Sequence, residues 1–119
     1  MILTNEKMLE SMTVLSRAEE TGMLGYAIAV NRKRLTAEAQ FQEYSKKRDE
    51  LLAEYGTDIG NGQFQLMPGN AARFYEALRP YSELTADVPV MQISPEVFYS
   101  GNLTSSQMFT LDWMVKDGD

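Results

Sequence analysis

The sequence of 119 residues contains no cysteine and no histidine. Without cysteine there is no disulfide framework and no thiolate chemistry, which fits a reducing compartment. Without histidine the chain lacks the usual general base, the commonest metal ligand and the usual pH switch, so no Ser-His-Asp or Cys-His triad can be built. No apolar run approaches the roughly 18 residues that a membrane span requires, and "MILTNEKMLE" turns polar after three residues, so neither a span nor a signal peptide is expected. Repeats and low-complexity segments are also lacking.

Charge is present but unbalanced. The formal net charge is −6, which disfavours general binding to nucleic acid or to anionic lipid. Six of the eleven basic residues form two clusters, Arg32-Lys33-Arg34 and Lys46-Lys47-Arg48. From Pro80 to Val115 there are four acids (Glu83, Asp87, Glu96, Asp112) and no base. The plain reading is a solvated helix followed by an acidic region. The sharper one is a dipolar surface that orients a partner.

Apolar periodicity sets the expected elements. Thr4 is an N-cap for a first helix from about Asn5 to Glu20, stopped by Gly22. The steps Ala27, Val30, Arg34, Ala37, Phe41, Tyr44, Arg48, Leu51, Tyr55 alternate three and four, a heptad seam that predicts one helix from Tyr26 to Tyr55. Gly60-Asn61-Gly62 predicts a tight turn into a short strand at Phe64–Leu66. Asn70 would cap a third helix that Pro80 kinks or splits. Val88, Val90 and Ile93 suggest an edge strand beside Pro89, and Ser94-Pro95 opens a helical turn. Thr104 and Gln107 form a capping box for a last helix, Ser105–Val115, with Trp113 half-buried at its end. The expected fold is a single α+β domain, mostly helical, with one long central helix and a small antiparallel two-stranded element.

The stretches "YAIAVNRKRL", "EYSKKRDELLAEYG", "GQFQLM", "FYEAL", "VPVMQISPEVF" and "LTSSQMFTLDWMV" resemble a family of short, uncharacterised phage- and prophage-encoded proteins of gut and other Gram-positive bacteria. The likeness runs over almost the whole chain and is most specific at Tyr44–Gly56 and Leu103–Val115. The family's usual acidic turn is replaced by Gly60-Asn61-Gly62, and Pro80 is an addition to its third helix. The resemblance implies phage origin and a host-cytoplasm address, and it brings no catalytic residue with it.

Candidate chemistry is thin. Glu50 and Glu54, one turn apart, could begin a di-metal site only with Glu-x-x-His elements, and read as a solvated helix face. Asp58-Ile59-Gly60-Asn61-Gly62 lacks the closing acid of a calcium loop and reads as a turn. No phosphate-binding glycine motif occurs. The two basic clusters, fourteen residues apart on one helix, would lie about 21 Å apart on one face, yet Tyr26–Tyr55 carries only +1 overall. Direct nucleic-acid binding and nucleic-acid mimicry by the acidic half are therefore minor alternatives. No cofactor and no metal are expected, and an enzyme is not.

The thirty residues of Tyr26–Tyr55 would measure about 45 Å as one helix, against a globule about 35 Å across for a chain of this length. Such a rod would overhang, and its seam would offer Arg34, Phe41, Tyr44, Arg48 and Tyr55 to another protein, arginine and tyrosine being residue types that concentrate in binding hot spots. The expected function is that of a non-catalytic phage accessory protein that binds another protein, with inhibition of a host defence or regulatory factor as one form. A self-associating assembly or morphogenesis helper, for instance a homodimer, is the alternative.

Overall fold

A computed structural model describes residues 1–116. The fold is α+β and mostly helical. In chain order the elements are β1 (Ile2–Thr4), α1 (Asn5–Arg17), α2 (Gly22–Ala37), α3 (Ala39–Tyr55), β2 (Thr57–Gly60), β3 (Gln63–Gln65), α4 (Pro68–Ser82), β4 (Thr85–Asp87), α5 (Pro95–Phe98) and α6 (Ser105–Thr110), closed by a 3₁₀ turn at Asp112–Met114. The body measures 47 × 26 × 22 Å.

The expected rod from Tyr26 to Tyr55 is broken. Glu38 is extended (φ −70°, ψ 119°) and separates α2 from α3. Two bonds close the gap: Glu38 N donates to Leu35 O at 3.1 Å, and Gln42 Nε2 reaches back to Thr36 O at 3.0 Å. No glycine or proline marks the break. Its cause is a change of phase in the buried stripe. On α2 the buried residues are Leu24, Ala27, Ile28, Asn31 and Leu35; on α3 they are Phe41, Tyr44 and Leu51. A straight helix advances 100° per residue, so Leu35 and Phe41 would point about 120° apart. One non-helical residue lets both enter the same core. The heptad seam read from sequence holds on α3 and is one residue out of phase on α2, where Arg34 and Ala37 are exposed.

Asn31 is the reason for that phase error. It is fully buried, its Oδ1 accepts from Met91 N at 2.7 Å, and its Nδ2 donates to Met91 O at 2.9 Å. It closes on the backbone of residue 91 as a neighbouring strand would, so a polar residue serves as a core position.

Helix α1 lies against both α2 and α3. Thr4 caps it as expected, its Oγ1 accepting from Lys7 N at 3.0 Å. It ends at Arg17 rather than near Glu20, with Leu15 O receiving both Nε and Nη2 of Arg32, at 3.1 and 2.5 Å. Gly22, expected to stop α1, instead begins α2 with φ +65°. The main core gathers Met8, Leu15, Leu35, Phe98, Leu111 and Met114 among others. A second cluster of Tyr44, Leu51, Phe74 and Leu78 joins α3 to α4, with Leu9 packed against both clusters.

Among the described residues there are two small sheets, not one. β1 pairs antiparallel with β4, Leu3 opposite Ala86, so the strand expected at Val88–Ile93 lies just before it and its partner is the first strand of the chain. Ile93 makes a separate parallel bridge to Val115. The other sheet is the β2–β3 hairpin, bulged between Asp58 and Gly60. Gly60, Asn61 and Gly62 all have positive φ (99°, 54°, 72°), which lets the two-residue Asn61-Gly62 connection follow the twist of its strands. The third helix begins at Pro68 rather than after Asn70 and continues through Pro80 to Ser82. The capping box at Thr104 and Gln107 is present, but α6 ends at Thr110 and gives way to the 3₁₀ turn. That turn buries Trp113 (6 % exposed), whose Nε1 donates to Ser11 Oγ at 2.9 Å.

Candidate functional site

The five seam residues are placed by this fold in four different roles. Arg34 is exposed and donates Nη1 to Pro89 O at 2.7 Å. Phe41 is buried in the main core. Tyr44 and Tyr55 belong to the second cluster, Tyr44 within it and Tyr55 at its margin. The half-buried Arg48 holds its guanidinium carbon 5.9 Å from the centre of the Phe74 ring. They do not form one open stripe. The basic clusters are similarly dispersed over two helices: Arg32 caps α1, and Lys47 lies 5.2 Å over the Tyr81 ring and 4.0 Å from Glu50.

Of the five, Tyr44 leads to a concave site. A cleft of about 370 Å³ opens between α3 and the corner joining α4 to β4, within the size range of small binding pockets. Its floor is a bonded polar network. Ser82 Oγ donates to Leu78 O at 3.2 Å, so the 3.0 Å contact between Tyr44 Oη and Ser82 Oγ has the tyrosine as donor. Asn5, also buried, donates Nδ2 to Tyr81 O at 2.8 Å and accepts from Gln40 Nε2 at 3.1 Å. These groups are engaged within the fold. The wall is Tyr81 (39 % exposed) and Leu84 (52 % exposed), and the rim carries Lys46, Lys47, Glu43 and Glu50.

The two hydroxyls of this arrangement are committed to the fold. Nucleophilic catalysis needs a hydroxyl beside a free base; here the serine hydroxyl donates to a backbone carbonyl and the tyrosine hydroxyl donates to the serine. An apolar wall with an aromatic face, bordered by charges of both signs, suits a protein side chain entering from outside. Among the described residues no group of three or more acids is arranged to hold a metal ion.

Tyr81 and Leu84 were not anticipated. Their only sequence signal is position, around the C-terminal end of α4 at Ser82, where the helix cannot bury every apolar side chain beside it. In the acidic region two of the four acids are paired and still exposed: Asp87 meets the Met1 amine at 2.8 Å and Asp112 meets Lys7 at 3.4 Å. Compared with family models, curated proteins and solved structures, the chain matches none.

Proposed function

We propose that the chain is a non-catalytic accessory protein, of phage or prophage origin, that binds another protein through the Tyr81–Leu84 cleft and acts in the host cytoplasm. The observation that carries the binding part is the cleft itself: exposed Tyr81 and Leu84 stand over a floor whose polar groups are bonded internally. Such a site gains by burying apolar surface and leaves no buried polar group stranded when it does. The resemblance to short phage proteins supports the origin and address, and inhibition of a host defence or regulatory factor is one concrete form of action. The test is capture of partners from host lysate, read by mass spectrometry. Tyr81→Ala with Leu84→Asp should abolish the enriched protein, while Tyr99→Ala, at a still more exposed tyrosine outside the cleft, should retain it. Retention by the double variant sinks the cleft as the docking site. A second reading, a self-associating assembly helper, draws on the exposed β2–β3 hairpin.

A further inference from the structure

The junction between α2 and α3 is a single residue with little local support. Glu38 is the N-cap of α3 and makes no side-chain cap bond, and the first turn of α3 holds no acid. Nothing in Thr36-Ala37-Glu38-Ala39 opposes a helix, and alanine is the best helix former. A continuous helix would bond the N–H groups of Ala39, Gln40 and Phe41 to the carbonyls of Leu35, Thr36 and Ala37. The two bonds it would displace are Glu38 N to Leu35 O and Gln42 Nε2 to Thr36 O. What holds the break is tertiary: straightened, Leu35 and Phe41 point about 120° apart and cannot both enter the core of one chain.

Glu38 divides the molecule into an arm, residues 1–37, and a body, residues 39–116. The two are joined by β1 with β4, by Asn31 on Met91 and by Trp113 on Ser11. They also share the main core, where Leu15, Ile28 and Leu35 of the arm cluster with Phe98, Leu111 and Met114 of the body. Each of these contacts runs between arm and body, so the same contacts can join the arm of one chain to the body of another. We infer that Glu38 is a hinge that turns helical when two copies exchange arms, giving a domain-swapped dimer. The partner segment is fixed by the chain itself, because a second copy's arm carries the surface that the body already fits. Exchange of an identical element across a short hinge adds no new interface chemistry. The two chains differ from two monomers at the hinge alone, where each gains the helical bonds that the break denies it. Exchange requires the arm to leave its own body first, so the dimer forms on refolding at high concentration and persists on dilution. Each Tyr81–Leu84 cleft is then completed by Asn5 of the other chain, which in the monomer donates to Tyr81 O at 2.8 Å. The hinge stands whether or not that cleft docks a partner.

The test is refolding from urea at millimolar concentration, followed by size-exclusion chromatography at micromolar concentration with mass read by light scattering. Wild type should yield a peak at twice 13.5 kDa beside the monomer. Ala39→Pro is compatible with the break and forbids the continuous helix, so it should lower the dimer fraction roughly tenfold or more while still folding as a monomer. A double variant, Ile2→Cys with Asp87→Cys, reports whose arm sits on whose body. These residues are register partners of β1 and β4, and Val88 N donates to Met1 O at 2.8 Å beside them, which makes theirs a non-hydrogen-bonded pair. Its spacing of about 4.5 Å suits a disulfide. Oxidised after separation, the dimer peak should run as linked chains without reductant and the monomer peak as single chains. A wild type that stays monomeric after millimolar refolding, an Ala39→Pro dimer fraction equal to that of wild type, or a dimer whose disulfides close within each chain overturns the inference.

Discussion

Proline at position 39 puts the break between α2 and α3 to a direct test. Ala39 is exposed and is the first helical residue of α3. The residue before it, Glu38, is extended at φ −70°, ψ 119°, as a residue preceding proline prefers. The Glu38 N to Leu35 O and Gln42 Nε2 to Thr36 O bonds close the break, Gln42 N donates to Glu38 O at 3.1 Å to start α3, and none of the three uses the Ala39 N–H. A proline at the first helical position sacrifices no intrahelical bond and restricts the unfolded chain, so Ala39→Pro should stabilise the protein by about 0.4–1 kcal/mol. In an unbroken rod the same change would remove the bond from residue 39 to Leu35 O and press the ring against that carbonyl, at a cost of about 3 kcal/mol. The two geometries differ in sign and by roughly 3–4 kcal/mol. Urea unfolding followed by fluorescence of the single tryptophan, Trp113, which is 6 % exposed, resolves that difference. An Ala39→Pro protein less stable than wild type by more than about 1 kcal/mol would refute the break.

Three other substitutions test the packing that the break makes possible. Asn31→Leu should cost about 2–4 kcal/mol, because Met91 N–H and C=O each lose their partner in a site with no solvent exposure at Asn31; thermal unfolding should show a drop of roughly 10 °C at about 4 °C per kcal/mol, and an unchanged midpoint would mean that Asn31 does not clamp that backbone. Ser11→Ala should cost about 1–2 kcal/mol by stranding the Trp113 Nε1–H, and should shift the tryptophan emission in the folded state; an identical spectrum and stability would contradict the bond. Gly25→Ala brings a Cβ onto the backbone carbonyl of Glu20, which cannot swing away, and should cost about 1–3 kcal/mol by the same denaturant assay; a neutral result would mean that the α1–α2 connection is looser than this contact implies.

Local chemistry was the legible part of the fold. Thr4, the Thr104–Gln107 capping box, the Ser94-Pro95 start and the Gly60-Asn61-Gly62 turn each work through atoms within a few residues of one another, so their geometry follows from their identity. β1 was missed because three residues running into an N-cap show no period, and their partner is β4, more than eighty residues away. The break at Glu38 was missed because Thr36-Ala37-Glu38-Ala39 contains no helix terminator. Glu38 is extended because the cores on either side require different faces, a tertiary demand that outweighs local preference.

The same reasoning explains why the candidate site moved. A heptad count treats every apolar or aromatic residue on a stripe as available and every asparagine as outward-facing. Asn31 breaks the second rule, and its burial rotates Arg34 out of the stripe and towards Pro89 O. Phe41 and Tyr44 break the first, since the core uses the face they occupy. A surface for recognition is what remains after the core has taken what it needs. On α4 the core takes Phe74 and Leu78, and on α3 it takes Tyr44 and Leu51. What it leaves at their shared corner is Tyr81 and Leu84, with Lys47 resting on the tyrosine ring. Periodicity can rank residues for burial along one helix. It cannot say which apolar residue at a helix end the neighbouring elements will leave uncovered, because that depends on where α3 is aimed, and the single extended residue at Glu38 aims it.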